Sequence, residues 1–271
     1  MNKTLSQLLG GLLLMSLASG LAQAKVSEEE AAKLGKELMP FGGEKAGNAD
    51  GSIPEWSGKW KGVPPGVKYD GPGSKRPDPY ADEKPLFSIT ADNVEEHKER
   101  LNDAQIAMFK RFPETYRMDI YPSHRDFNVN ERTAEKAKWN ATHTELANGI
   151  ESLKNYTGGP AFPIPQGPEE VMWNTRTNNC YTSYHLVYDG YAVFSNGEIS
   201  KERIDFTQTS PFNNPNNPIP TTEKEVGDRI NYTFTGRLLP LRMKGEMTAV
   251  QDPVDYKKNK RNVWQYSPGT R

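Results

Sequence analysis

The sequence predicts an α+β protein in which a helical and extended N-terminal part precedes an antiparallel sheet. Apolar side chains recur at helical spacing in the first part, whereas from Val171 onward they alternate with a period of two. Between the first helices, Phe41–Lys84 is rich in glycine and proline, which excludes long regular elements there. Helices and strands that are segregated along the chain are typical of the α+β class.

The first 24 residues predict a signal peptide of the Sec type. Lys3 supplies a positive start, an apolar stretch too short to span a bilayer follows, and Ala22-Gln23-Ala24 forms a small-x-small cleavage site before Lys25. No cysteine follows this site, so no lipoprotein acyl anchor is expected. We therefore expect a periplasmic protein, with a retained membrane anchor as the alternative. After cleavage, no apolar run approaches the ~20 residues of a membrane span.

The predicted helical and extended part covers residues 25–170. Ser27 and Glu30 form a capping-box pattern, which predicts a helix that runs through Leu38 and ends at Pro40. The segment Phe41–Lys84 is expected to extend over a separate core. The later elements predicted in this part are a strand and two helices, at Leu86–Ile89, Val94–Arg111 and Glu131–Leu146, the last of them capped by Asn148-Gly149.

Residues 171–271 are predicted to form an antiparallel meander, continuous with the preceding part as one domain. Asp189-Gly190 and Asn196-Gly197 are turn signals, and the second predicts a type I′ hairpin. The predicted strands are Tyr181–Val187, Tyr191–Phe194, Lys201–Thr207, Arg229–Thr235, Leu241–Val250 and Asn262–Tyr266.

The C-terminal residues resemble a hairpin without its second strand. Val263–Tyr266 has a strand pattern, and Ser267–Thr270 places proline and glycine at the centre of a type II turn. One interpretation is an open sheet edge that another chain covers; a frayed tail is the other.

Composition and motifs exclude several function classes. The chain has 34 Lys and Arg against 35 Asp and Glu, which argues against a nucleic-acid partner. Its one cysteine, Cys180, excludes an internal disulfide and a thiolate zinc cluster, and it is either a reactive thiol or a small buried hydrophobe. Asn48–Ser52 is faintly like a calcium loop, but an Asx-type turn is favoured. We expect no catalytic residues, no metal and no cofactor.

The aromatic residues of the predicted strands are the most informative side chains. Tyr232 and Phe234 share one face of their strand, and so do Trp264 and Tyr266. Two interpretations of such stripes stay open at this point: ordinary core packing, or an apolar face that is open to a ligand.

Six segments, in order along the chain, resemble one bacterial family. They are Glu44–Trp56, Pro77–Phe87, Phe109–Met118, Gly158–Pro165, Trp173-Asn174 and Trp264–Gly269. The family is that of domain of unknown function 1329, periplasmic proteins described as similar to outer-membrane lipoprotein-sorting factors. Members extend well beyond the last matching segment, so the resemblance implies a chain truncated after its N-terminal half.

The resemblance also implies a fold and a function. The expected fold is a curved antiparallel sheet, an incomplete lipoprotein-carrier-like half-barrel, whose concave face holds acyl chains. The expected function is non-enzymatic binding and transport of a lipid or acyl ligand, with Tyr232, Phe234, Trp264 and Tyr266 in contact with it. The alternative is an accessory or structural subunit of an outer-membrane or export-pump complex, with an envelope protein as partner.

Overall fold

The computed structural model describes residues 26–177 and 181–269, which form two compact units. One unit, here called the inserted unit, is Glu44–Val129. The other, the sheet unit, joins the segment before Glu44 to the chain from Asn130 onward. The predicted signal peptide, its cleavage site and Cys180 lie outside the described residues. Within the described ranges, no helix is both long enough and apolar enough to cross a membrane.

The N-terminal helix is shorter than predicted. α1 (Glu28–Ala31) begins as expected, because the Ser27 hydroxyl accepts a hydrogen bond from the Glu30 N–H at 3.1 Å. The Glu30 carboxylate, however, pairs with the Lys33 amine at 2.7 Å. Gly35 then adopts a φ of 81°, which lies outside the helical region. The predicted extension through Leu38 is therefore wrong.

The inserted unit contains a short strand pair and two helical segments. β1 (Phe87–Ile89) pairs with β2 (Met118–Ile120), so the predicted strand is confirmed. The single helix predicted over Val94–Arg111 is wrong, because a 3₁₀ helix, Val94–Arg100, precedes α2, Asp103–Arg111. Asn102 separates them, since its side chain caps α2 in a reciprocal capping box with Gln105.

The glycine- and proline-rich segment of the inserted unit is held without regular elements. The Arg125 guanidinium donates hydrogen bonds to the carbonyl oxygens of Ala46 and Pro54, at 2.9 and 3.0 Å. Trp56 is buried, and its indole N–H donates to the Phe127 carbonyl at 2.7 Å. Long-range side-chain bonds thus replace the ladder or helix bonds that glycine and proline prevent.

Two longer helices and a short hairpin accompany the sheet in the sheet unit. α3 (Glu131–His143) ends three residues before the predicted end at Leu146. β3 (Glu145–Ala147) and β4 (Ser152–Lys154) follow as an antiparallel pair. Asn148-Gly149, predicted as a helix cap, is the turn between them, with φ values of 51° and 72°. α4 (Pro168–Thr177) extends into the region from Val171 onward that the sequence assigned to the antiparallel meander.

A buried polar network joins α3 to two loops of the sheet unit. The Asn140 side-chain amide donates to the carbonyls of Gly158 and Pro160, at 2.8 and 2.9 Å. The Lys136 amine donates to the carbonyls of Phe212 and Asn214, at 2.5 and 3.0 Å. Both side chains are almost fully buried. They therefore supply the hydrogen bonds that these loop carbonyls would otherwise make to water.

Five antiparallel strands form the main sheet, in sequence order β5 to β9. Its curvature is consistent with two β-bulges in which β7 carries the extra residue, and the sheet does not close into a barrel. The open, curved sheet expected from the resemblance is confirmed. The strands are Ser183–Val193, Ile199–Thr209, Arg229–Leu239, Met247–Pro253 and Asn262–Tyr266. Short helical turns lie between them, at Pro211–Asn213, Glu223–Val226 (α5) and Leu241–Met243.

Two turn predictions in the sheet need correction. Asp189-Gly190 is not a turn but the middle of β5, where Gly190 leaves room for the Glu202 side chain on β6. The hairpin at Asn196-Gly197 is confirmed, but it is not type I′, because only Gly197 has a positive φ (85°).

The strand predicted from Leu241 begins only at Met247, after a 3₁₀ turn. The predicted type II turn reaches Thr270, outside the described residues.

The core of the sheet unit lies at one end of the sheet. Trp173 of α4, Ile230 of β7 and Phe212 of the loop after β6 form its centre. Tyr156, Phe162 and Val254 complete the same buried cluster. Because this cluster involves only the beginning of β7 and the residue after β8, much of the sheet remains outside it.

Candidate ligand-binding face of the sheet

The strand register brings the four predicted aromatic residues onto one face. Phe234 pairs with Ala249, which in turn pairs with Trp264, so these side chains form one row across three strands. Tyr232 and Tyr266 lie two residues from this row along their strands. Since side chains alternate between the two faces, all four project from the same side, here called the aromatic face.

The aromatic face is open to solvent. Tyr232 and Phe234 are 37% and 42% exposed, and Trp264 and Tyr266 are 53% and 58% exposed. None of them belongs to the buried core of the sheet unit. Within the described residues, these four side chains are therefore not packed in a core.

A cluster of charged residues lies on β5–β6, on the same face of the sheet. The Asp189 carboxylate accepts hydrogen bonds from Arg203 Nε and Nη2, at 2.7 and 2.9 Å, and Lys201 Nζ lies 2.9 Å away. The Arg203 and Lys201 bonds hold the pKa of Asp189 well below its usual range. Lys201 also lies over the Tyr191 ring, with 5.4 Å between its amine and the ring centroid. On β5–β6 the face thus combines this ion cluster with exposed apolar side chains such as Val187 and Val193, whereas the aromatic residues lie on β7–β9.

Sequence reasoning missed several residues of this face. Met247 pairs with Tyr266 and continues the apolar surface on β7–β9, but its strand was predicted to begin six residues earlier. Asp189 was assigned to a turn, so its ion cluster was not foreseen. The period of two in the strand patterns was the available signal, and only the cross-strand register shows which stripes meet.

The remaining candidate sites do not gain support as metal or thiol centres. In Asn48–Ser52, the Ser52 N–H donates to the Asp50 carboxylate at 2.9 Å, which is the favoured Asx-type turn. In the described part of the chain, His, Cys, Asp and Glu side chains form no group of three that could hold a metal ion. His185 pairs with Asp205 at 3.0 Å, and Cys180, the candidate reactive thiol, lies outside the described residues.

Comparisons with known proteins agree with the motif resemblance. Residues 88–271 match the family described as "Protein of unknown function (DUF1329)". The chain is similar to "Uncharacterized protein PA3922" of Pseudomonas aeruginosa, with 37% identity over 266 residues, covering 96% of this chain and 56% of that protein. The chain therefore spans a little over half the length of this relative. No solved structure matches it. The chain belongs to the DUF1329 family of proteins of unknown function.

Proposed function

We propose that this protein is a non-enzymatic carrier of lipids or similar amphiphiles in the periplasm of a Gram-negative bacterium. The observation that carries the proposal is the aromatic face, where exposed aromatic residues on β7–β9 share one side of a curved, open sheet with an ion cluster on β5–β6. An amphiphile also joins an apolar chain to a polar head group. Its chain would lie on β7–β9 and its head group near the ion cluster on β5–β6. The signal-peptide pattern of residues 1–24 supports the periplasmic location.

The energetics of such binding need no charged clamp. Each ligand CH₂ removed from water contributes about 0.8 kcal/mol, so a chain longer by two CH₂ groups binds more than tenfold more tightly. The exposed rings of Phe234 and Trp264 supply the apolar contact surface. Release would then require a better-matched acceptor.

Phe234→Asp is expected to weaken binding of an uncharged amphiphile at least tenfold, because the chain would have to pack against a carboxylate. The probes are octyl and decyl maltoside below their micellar concentrations. Native mass spectrometry gives the stoichiometry and titration calorimetry the affinity. The unaltered protein should bind one decyl maltoside, and more tightly than octyl maltoside.

Val263→Asp is the matched control. Val263 is 58% exposed and neighbours Trp264 on the same strand, but its side chain projects from the opposite face. This variant should bind decyl maltoside like the unaltered protein. Equal loss in both variants, or no one-to-one complex with the unaltered protein, would contradict the proposed face.

A second candidate function is an accessory subunit that recruits an envelope protein by strand addition. The observation that favours it is β9: among the described residues it pairs only with β8, and most of it is exposed. A partner strand could therefore extend the sheet along Asn262–Tyr266. Val263→Pro, which removes a backbone donor, should abolish capture of an envelope protein if this function is correct. A monomer that captures none would count against it.

A further inference from the structure

A polar cleft lies on the opposite side of the sheet from the aromatic face. It has a volume of about 270 Å³ and separates the end of α4 from β6, β7 and β8. Gln208, Asn231 and Asp252 line it from the strands, and each is next in sequence to a residue whose side chain projects from the side of the aromatic face. We call it the arginine cleft, because Arg176 of α4 and Arg261 before β9 bring two positive charges to it.

Arg176 is oriented by aromatic rings rather than by a carboxylate. Its guanidinium carbon lies 5.2 Å from the ring centroids of both Trp173 and Tyr256. Both rings are themselves held in place, since the Trp173 indole donates to the Ile150 carbonyl at 3.0 Å and the Tyr256 hydroxyl donates to Asp252 at 3.0 Å. The guanidinium is therefore positioned before any ligand arrives.

The hydrogen-bond donors of Arg176 remain available. In residues 26–177 and 181–269, no side chain or carbonyl accepts a hydrogen bond from its guanidinium. The one carboxylate in the cleft, Asp252, already accepts the Tyr256 hydroxyl and pairs with Arg261 Nε at 3.0 Å. Two arginines against one aspartate leave the cleft with a net positive charge.

An apolar groove begins where the arginine cleft ends. It has a volume of about 250 Å³, and Arg176 lines it as well as the cleft. Its apolar walls include Ile150 and Met172, both of them largely exposed, together with the Trp173 ring. The Glu169 side chain also lines this mostly apolar groove, and the Arg176 side chain lines both the groove and the positive cleft.

We propose that Arg176, with Arg261, binds the anionic head of an amphiphile whose apolar part lies along the groove. A phosphate or carboxylate head would accept the free guanidinium N–H groups, which suit bidentate oxyanion recognition. The apolar part would cover Ile150 and Met172. This site is separate from the aromatic face and does not depend on the function proposed for that face.

The experiment titrates decyl phosphate, inorganic phosphate and decyl maltoside into the full chain by calorimetry. Arg176→Gln should weaken binding of decyl phosphate at least tenfold and leave binding of decyl maltoside unchanged, whereas Phe234→Asp should weaken binding of decyl maltoside and leave decyl phosphate with its site at Arg176. Arg242→Gln removes an exposed arginine elsewhere in the same unit and serves as the charge-matched control. It should bind decyl phosphate like the unaltered protein.

A second variant tests the groove. Met172→Ser should lower the affinity for decyl phosphate severalfold and leave any binding of inorganic phosphate unchanged. If the unaltered protein bound decyl phosphate and inorganic phosphate with equal affinity, the groove would not bind an alkyl chain, and the site would recognise oxyanions alone. Unchanged decyl phosphate binding in Arg176→Gln, or equal loss in Arg242→Gln, would overturn the site itself.

Discussion

Gly158→Ala is expected to lower the free energy of unfolding of the sheet unit by about 3 to 5 kcal/mol. Gly158 has a φ of 111°, which an L side chain rarely adopts, and an added Cβ would overlap the Phe212 carbonyl oxygen and crowd Lys136. Neither neighbour can move freely, because the same carbonyl accepts the Lys136 amine and the Gly158 carbonyl accepts Asn140. Urea unfolding followed by circular dichroism measures the loss.

Gly149→Ala separates the overlap from the backbone strain. Gly149 also has a positive φ, 72°, but an added Cβ there would meet nothing within 4 Å. Its substitution should cost only about 1 kcal/mol, the strain of the left-handed conformation. Equal costs at the two positions would show that the Gly158 loop relaxes around a methyl group, which would contradict a tightly packed network at Lys136.

Between pH 7 and pH 10, the free energy of unfolding should rise by about 2 kcal/mol through Lys136 alone. Burial, together with the nearby charge of Arg132, lowers the pKa of the Lys136 amine to about 8. In the unfolded chain this amine keeps its ordinary pKa near 10.4. Above pH 8 the unfolded state therefore binds more protons than the folded state, so stability increases with pH in this window.

Lys136→Met tests this pH dependence. The variant should lose the rise between pH 7 and pH 10, whatever its absolute stability, because it has no proton to release. Lys138→Met, which alters an exposed lysine on the same helix, should keep the rise. The series stops at pH 10, since Tyr256, whose pKa is raised to about 12 chiefly by burial, makes the fold lose stability above that. An identical slope in Lys136→Met and the unaltered protein would contradict the prediction.

Sequence patterns predicted features that depend on neighbours in the chain. The strand at Phe87–Ile89, the α1 cap at Ser27 and the hairpin at Asn196-Gly197 follow from local spacing and turn residues. The predictions failed where contacts with distant residues outweigh the local sequence pattern. The turn expected at Asp189-Gly190 is strand because β6 pairs with it along its whole length, which satisfies its backbone groups better than a turn would.

The candidate site shows the same division. The period of two showed that Tyr232 and Phe234 share a face and that Trp264 and Tyr266 do. Placing both pairs on one face required β8 between them, with Ala249 in register with Phe234 and Trp264. The arginine cleft had no sequence signal, because Arg176 and Tyr256 are far apart in the chain and meet only through packing.

By itself, the sequence determined the α+β class, the strand-rich second half, the family, and the expectation of a signal peptide. These depend on periodicity, composition and short motifs, which local chemistry expresses directly. Only the tertiary structure decided that the chain forms two units, that Lys136 is buried, and that the aromatic rows lie exposed on one side of an open sheet. The physical reason is that burial and cross-strand register arise from contacts between residues distant in sequence, which no local pattern specifies.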